Sequence, residues 1–298
     1  MLDYVSLAAL AAVIREGSFE RAARSLNVTP SAVSQRVRQL EERVGCALVI
    51  RETPCRATAL GQRLCLHIDR VSLLEQELQS TLPALAAEGA KKVTVPVAVN
   101  ADSFATWFVP ALADFCAETS ALMDVKVDDQ DHTSEWLRSG KVLAAVTSRT
   151  RPATGCNSQF LGTMRYLAAA SPSFVQRYFG DGIGADSLAH APSLVFDTKD
   201  ELQSRWVQGF CGRHIELPRH RLPSPQAFVT ATLTGMGWGL HPSELIADCI
   251  DNGSLIELVP GLSLDVPLYW QYTRSASSLL DGLTHHIVSA ARSSLIIS

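Results

Sequence analysis

No apolar run in this 298-residue chain approaches the roughly 20 residues that a membrane-spanning helix needs. A basic-then-apolar export signal is also missing. The N-terminus opens directly on a helical pattern, so a cytoplasmic protein is expected. The seven cysteines (Cys46, Cys55, Cys65, Cys116, Cys156, Cys211 and Cys249) include no C-x-x-C pair, and their odd number argues against a disulfide framework. Reduced, mostly buried thiols are the expectation and a redox-sensing pair the alternative. The eight histidines show no metal-ligand spacing: His285 and His286 are adjacent in a helical pattern and so face different ways, and His214 and His220 flank Leu217-Pro218. No P-loop and no G-x-S-x-G nucleophile elbow is present. The glycines of residues 235–239 lack G-x-G-x-x-G spacing and lead into a strand. Neither a metal, nor a cofactor, nor an enzymatic activity is therefore expected.

What is present is a packed chain with an uneven charge. A hydrophobic content of 47% and an aromatic content of 7% are ordinary for a folded protein, and the length suits two compact domains. Over residues 21–63, eight arginines (21, 24, 36, 38, 43, 51, 56 and 63) stand against Glu41, Glu42 and Glu52, a local charge of +5. The net charge is −4, so the remainder carries −9. A basic N-terminal module on an acidic body suits a protein that touches phosphate at one end.

Within the basic region, residues 19–45 read FERAARSLNVTPSAVSQRVRQLEERVG. Two helical patterns flank a break at Asn27-Val28-Thr29-Pro30. Phe19, Ala22, Ala23 and Leu26 repeat at i, i+3, i+4, i+7; Val33, Val37, Leu40 and Val44 repeat at i, i+4, i+7, i+11. Thr29 suits an N-cap, and Pro30 suits the first turn, where a missing N–H is tolerated. The other face of the second helix carries Ser31, Ser34, Gln35 and Arg38, with no carboxylate among them. Hydroxyls, an amide and a guanidinium are what a helix lying in a DNA major groove needs. A helix pair with a solvated polar face is the alternative.

These residues resemble the winged helix-turn-helix of LysR-type transcriptional regulators. Ala22-Ala23, Leu26, Ser31-Ala32-Val33-Ser34, Leu40-Glu41 and Gly45 match the family pattern, which continues through Arg51, Thr58 and Gly61. Val49 departs from the family's usual Phe, a change in packing under the wing. Pro54-Cys55-Arg56-Ala57-Thr58 and residues 99–107 (VNADSFATW) are similar to the ArgP/LysG subgroup, which senses basic amino acids, chiefly lysine and arginine. The resemblance implies an effector-responsive regulator of transport or metabolic genes, assembled as dimers and tetramers, with RNA polymerase as a further partner. It implies a two-lobed effector domain like a periplasmic solute-binding protein. Effector binding is expected to close the cleft between the lobes and re-angle the DNA-binding modules. Thr29, Ser31, Ser34, Gln35 and Arg38 are the candidate groove residues. Arg51 and Arg56, on a short basic wing over residues 47–56, are candidate phosphate contacts, which fix register without reading sequence. A DNA-binding protein of architectural or replication-related type, with no effector, is the alternative.

The parts follow in order. Residues 1–57 are read as the DNA-binding module, 58–90 as a linker helix and hinge, and 91–298 as the effector-binding body. Lobe I takes about 91–162 and 267–298, lobe II about 163–266. Along the linker helix, Leu60, Leu64, Ile68, Val71, Leu74 and Leu78 form one stripe running toward Leu82. A second copy of the chain is the economical partner for that stripe, and a dimer suits two DNA half-sites. Packing on its own N-terminal module is the alternative. Residues 83–92 break the pattern. The body alternates strands (near 93–99, 122–128, 142–147, 166–170, 193–196, 238–240, 255–258 and 267–272) with helices, the last from about Ser277, and Gly140 suits a helix C-cap. This is an α/β pattern expected to build parallel β-α-β units.

Ligands of such sheets bind beyond the carboxyl ends of the strands. Ser103 and Thr147, with helix N-termini, suit an α-carboxylate. Asp128 and Asp197 suit an α-ammonium and a basic side chain. Gln226 opens a second-lobe helix where the subgroup commonly has Glu before Ala227-Phe228, and a neutral amide there weakens cation recognition. Helix capping and strand termination are the alternative roles for these residues.

Overall fold

The computed structural model describes residues 3–81, 93–119, 121–128, 133–138, 141–274 and 278–297. The N-terminal module packs α1 (Tyr4–Glu16), α2 (Phe19–Ser25) and α3 (Pro30–Val44) against a wing of two antiparallel strands, β1 (Val49–Ile50) and β2 (Arg56–Ala57). Each helix starts where a side chain takes up free backbone donors: Asp3 accepts from Val5 and Ser6, Ser18 from Arg21, and Thr29 from Ala32. Gly17 and Gly45 end α1 and α3 at φ 65° and 81°, left-handed positions that glycine takes without strain. Leu7, Leu10, Val13, Ala22, Val33, Val37, Leu40 and Leu48 form the buried core. Val49 is buried with them, so the smaller side chain is accommodated beneath the wing. Two motif positions have structural causes: Glu41 accepts from the backbone N–H groups of Leu48 and Val49, and a Cβ on Gly61 would lie 2.1 Å from the Leu48 carbonyl oxygen.

Helix α4 (Ala59–Thr81) divides its apolar stripe. Leu60, Leu64 and Ile68 pack on the module's own core, whereas Leu74 and Leu78 remain 54% and 52% exposed. The first half of the helix thus packs as the alternative reading expected, and the second half leaves its leucines open to solvent in the single chain. Leu82, the break at 83–92 and Gly140 lie outside the described residues.

The body begins with β3 (Thr94–Asn100), which leads through α5 (Ala101–Ser103) and a π-helical turn, Phe104–Phe108, into α6 (Val109–Thr119). It continues with β4 (Leu122–Asp128), α7 (Thr133–Arg138), β5 (Ala144–Thr147) and the long β6 (Cys156–Ala170). Then come α8 (Pro172–Tyr178), α9 (Ala185–His190), β7 (Ser193–Val195), α10 (Leu202–Cys211), β8 (Arg219–Arg221) and α11 (Pro225–Leu233). Last are β9 (Gly239–Pro242), α12 (Ser243–Asp251), β10 (Ile256–Glu257), β11 (Ser263–Thr273) and α13 (Ser278–Ser294).

In lobe I, β3 runs parallel to both β4 and β5. Strands β6 and β11 pair antiparallel from Cys156↔Thr273 to Leu167↔Ser263; β5 flanks the other edge of β11, and β9 pairs with the far end of β6. They therefore cross between the lobes, one outward and one back. In lobe II, β7 is parallel to β8 and bridges to Trp238, while β9 and β10 are antiparallel to β6. The expected parallel units thus hold inside each lobe but not at the crossing. Strand β6 starts ten residues before the expected 166, because Asn157 and Ser158 are exposed and, with the half-buried Gln159, make a polar run that hides the strand signal. Strand β8, Arg-His-Arg, carries no apolar signal at all.

Candidate functional site

The face of α3 opposite its core is open to solvent. Thr29, Ser31, Gln35 and Arg38 are exposed and Ser34 is half-buried. Thr29 Oγ1 lies 3.0 Å from Ser31 Oγ while it caps the helix. Arg38 Nε donates to Glu42 at 3.0 Å, so a carboxylate borders this face after all; with side chains 76% and 64% exposed, such a pair is weak and readily exchanged for a phosphate. Arg51 stands over the Phe19 ring at 5.2 Å, and its guanidinium is 3.9 Å from Glu41, which holds the wing arginine against α2 and α3. Arg56 lines a cleft between the wing and lobe I, with Asp69, Asp124 and Lys126.

A second site lies between the lobes. Asn100, Ala101 and Asp102 reach it from lobe I, at the carboxyl end of β3. From lobe II come Phe196, Asp200, Leu202 and Gln203 after β7, Pro225 and Phe228 of α11, Leu240 to Pro242 of β9, and Leu245 of α12. Its free space is about 30 Å³, room for about two waters at the 10–15 Å³ each requires. The pocket is lined by two carboxylates and no lysine or arginine. Asp102 Oδ2 accepts from the Tyr166 hydroxyl at 2.7 Å, tying the start of α5 to the crossing strand β6. Asp200 accepts from the N–H groups of Phe196 and Leu202, and burial raises its carboxyl above the usual range. His241 is buried to 1% exposure, and that desolvation lowers it to about 4, so the ring is neutral at pH 7. Its Nε2 lies 3.0 Å from Thr232 Oγ1, and Phe228 packs edge-on against it. Asn100 and Gln203 are each 1% exposed, and neither amide makes a hydrogen bond within 3.5 Å, although Gln203 stands close enough to Asp200 to draw that carboxyl back down.

The five residues named from sequence fall around this pocket rather than on its wall. Ser103, the residue after Asp102, is fully buried, with Oγ unpartnered. Gln226 follows the lining residue Pro225. Asp197 Oδ1 accepts from the N–H groups of Lys199 and Asp200 and shapes the loop that presents Asp200. Asp128 accepts from the Trp136 indole, and Thr147 Oγ1 from the Arg149 N–H. Asn100, Asp102 and His241 lie at strand ends, where sequence reasoning looks for a ligand, whereas Asp200 and Gln203 were passed over. One signal was available: Gln203 interrupts the buried face of α10, between Leu202 and Trp206-Val207.

Among the described residues, no helix is long and apolar enough to cross a membrane, and no group of His, Cys, Asp and Glu is placed to hold a metal ion. Residues 5–62 match the family described as bacterial regulatory helix-turn-helix protein, lysR family, and residues 89–292 match the LysR substrate binding domain. The transcriptional regulator ArgP of Pseudomonas aeruginosa is 44% identical, over 99% of this chain and 98% of its own. Among solved structures, ArgP from Mycobacterium tuberculosis superposes with a TM-score of 0.83 at 41% identity, covering 100% of both chains. Full-length LysG from Corynebacterium glutamicum, solved with bound effector Arg, gives 0.71 at 36% identity, covering 99% of this chain and 100% of that one. The chain folds like these relatives over its whole length, and with both family matches it belongs to the LysR family of DNA-binding transcriptional regulators.

Proposed function

We propose that this regulator reads duplex DNA with Thr29, Ser31, Ser34, Gln35 and Arg38 at the start and along the face of α3, sets its register on phosphate with Arg51 and Arg56, and adjusts that binding to a basic amino acid held between the lobes. The observation that carries the effector assignment is the interlobe pocket itself. Asp102 and Asp200 line it, no lysine or arginine does, and the LysG relative was solved with arginine. A cationic side chain is favoured in such a field and an acidic one is repelled. With about 30 Å³ free, the lining must part before an amino acid enters, so binding is coupled to a lobe movement that starts with opening and not with closure alone. Asp102 links this movement to the crossing strand through Tyr166. Ser103, Asp128, Thr147, Asp197 and Gln226 shape the surrounding loops and strand ends. Leu74 and Leu78, exposed on α4, pair two chains into a dimer, and dimers associate further into a tetramer. The protein works in the cytoplasm without catalysing a reaction, and contact with RNA polymerase carries the signal onward. Isothermal titration of the full-length protein with L-arginine and L-lysine tests the effector assignment. Binding of at least one, and none of L-glutamate, is the expected result; no heat with either at millimolar concentration would remove it.

A further inference from the structure

Buried amides in folded proteins almost always find partners, and each atom left without one destabilises the structure that holds it. Among the described residues, Asn100 and Gln203 are the two amide side chains with both polar atoms buried and no hydrogen bond within 3.5 Å. Both line the same cavity, Asn100 from the end of β3 in lobe I and Gln203 from α10 in lobe II. The pocket's charged groups are already engaged: Asp200 accepts two backbone N–H bonds and Asp102 accepts the Tyr166 hydroxyl. With no lysine or arginine on the wall, a ligand carboxylate entering here must be met by neutral N–H donors. Each amide offers such a donor and, beside it, an acceptor for an ammonium.

We propose that Asn100 and Gln203 are the pair that recognises the effector's head group, their amide nitrogens donating to its α-carboxylate and their carbonyl oxygens accepting from its α-ammonium. This rests on the effector reading above. The head group then joins lobe I to lobe II, and the side-chain cation is left to the field of the two aspartates. The pair therefore determines which ligands bind: a cation without the carboxylate makes only part of these bonds.

Full-length wild type, Asn100→Leu, Gln203→Leu and Gln203→Glu are compared by isothermal titration with L-arginine and with agmatine, which keeps the guanidinium and lacks the carboxylate; thermal melts are recorded without ligand. Wild type prefers L-arginine. Asn100→Leu and Gln203→Leu lose about 10- to 100-fold in L-arginine affinity, the range for a lost hydrogen bond to a charged group, and lose less for agmatine, which forfeits only the bond from its ammonium to the carbonyl oxygen. Gln203→Leu melts at or above the wild-type temperature, because it removes a buried polar group with no hydrogen bond within 3.5 Å. Gln203→Glu sets a carboxylate against the ligand's own, weakening L-arginine and tightening agmatine. L-arginine affinity within twofold of wild type in both leucine variants overturns the proposal and leaves the effector reading standing. So does a lower melting temperature of Gln203→Leu with equal loss of both ligands, which marks a structural residue. A wild type that binds neither L-arginine nor L-lysine overturns both.

Discussion

The polar face of α3 draws Ser31, Ser34, Gln35 and Arg38 from eight consecutive residues, nearly all in water, while the interlobe pocket draws Asn100, Asp102, Asp200, Gln203 and His241 from some 140 positions of chain, most of them buried. The difference is one of physics as much as of geometry. On the exposed face each group is already hydrated, so it can be removed with little effect on folding, and its contribution to DNA binding is screened by salt. In the pocket each group has left water, and whether it is satisfied, neutral or charged is part of the stability of the body. The surface site tolerates substitution structurally and loses function; the buried site couples the two.

Four substitutions press on that contrast, from the largest effect to the smallest. Gly61→Ala attacks the module from within, since its Cβ would collide with the Leu48 carbonyl at the base of the wing. It is expected to destabilise the module by about 3 kcal/mol or more and to abolish duplex binding, with L-arginine binding kept. Urea unfolding followed beside both titrations checks this, and equal loss of arginine binding would show that the two regions do not stand apart. His241 probes the pocket. Burial holds its folded value at about 4, below the unfolded 6.5, so the unfolded chain binds the proton first. Its stability contribution is present above pH 6.5 and is lost as pH falls toward 4, by about 3 kcal/mol at most. The difference in urea midpoint between wild type and His241→Asn should shrink over that window; a difference independent of pH would contradict the burial account.

Arg51→Ala, on the wing, should weaken binding to any duplex by about tenfold and reduce the salt slope by about one phosphate. An unchanged slope would place the side chain away from DNA. Thr29→Ala removes the cap that accepts the Ala32 N–H and should lower module stability by about 1 kcal/mol. Circular-dichroism melts read the change, and no change would mean that the cap adds nothing to helix stability.

The same contrast explains what could be read from the chain. The module was legible because its signals are local: apolar periodicity in α2 and α3, Thr29-Pro30 at one helix start, Gly45 at one helix end. Lobe I was legible for the same reason, its strands being short apolar runs with helices between. The crossing strand β6 was half hidden by polar residues on its solvent side, and β8 was hidden altogether. The pocket fared worst. Strand ends pointed to the right rim, which is why Ser103 and Gln226 lie next to true lining residues, Asp102 and Pro225. Which side chain turns inward depends on contacts such as Tyr166 to Asp102 and Asp197 to the Asp200 loop, each made across distant segments. Gln203, a polar residue on the buried face of an amphipathic helix, carried a signal of its own, and its meaning required knowing that it lines the same pocket as Asn100.

The most direct test of the account is a duplex-binding isotherm for full-length wild type and for the Gln35→Ala, Arg38→Ala double variant. The duplex is one enriched by the wild-type protein from a random pool. Loss of about 100-fold or more in affinity, with L-arginine binding and thermal stability unchanged, is the predicted result; wild-type affinity in the double variant would contradict the assignment of the α3 face to DNA.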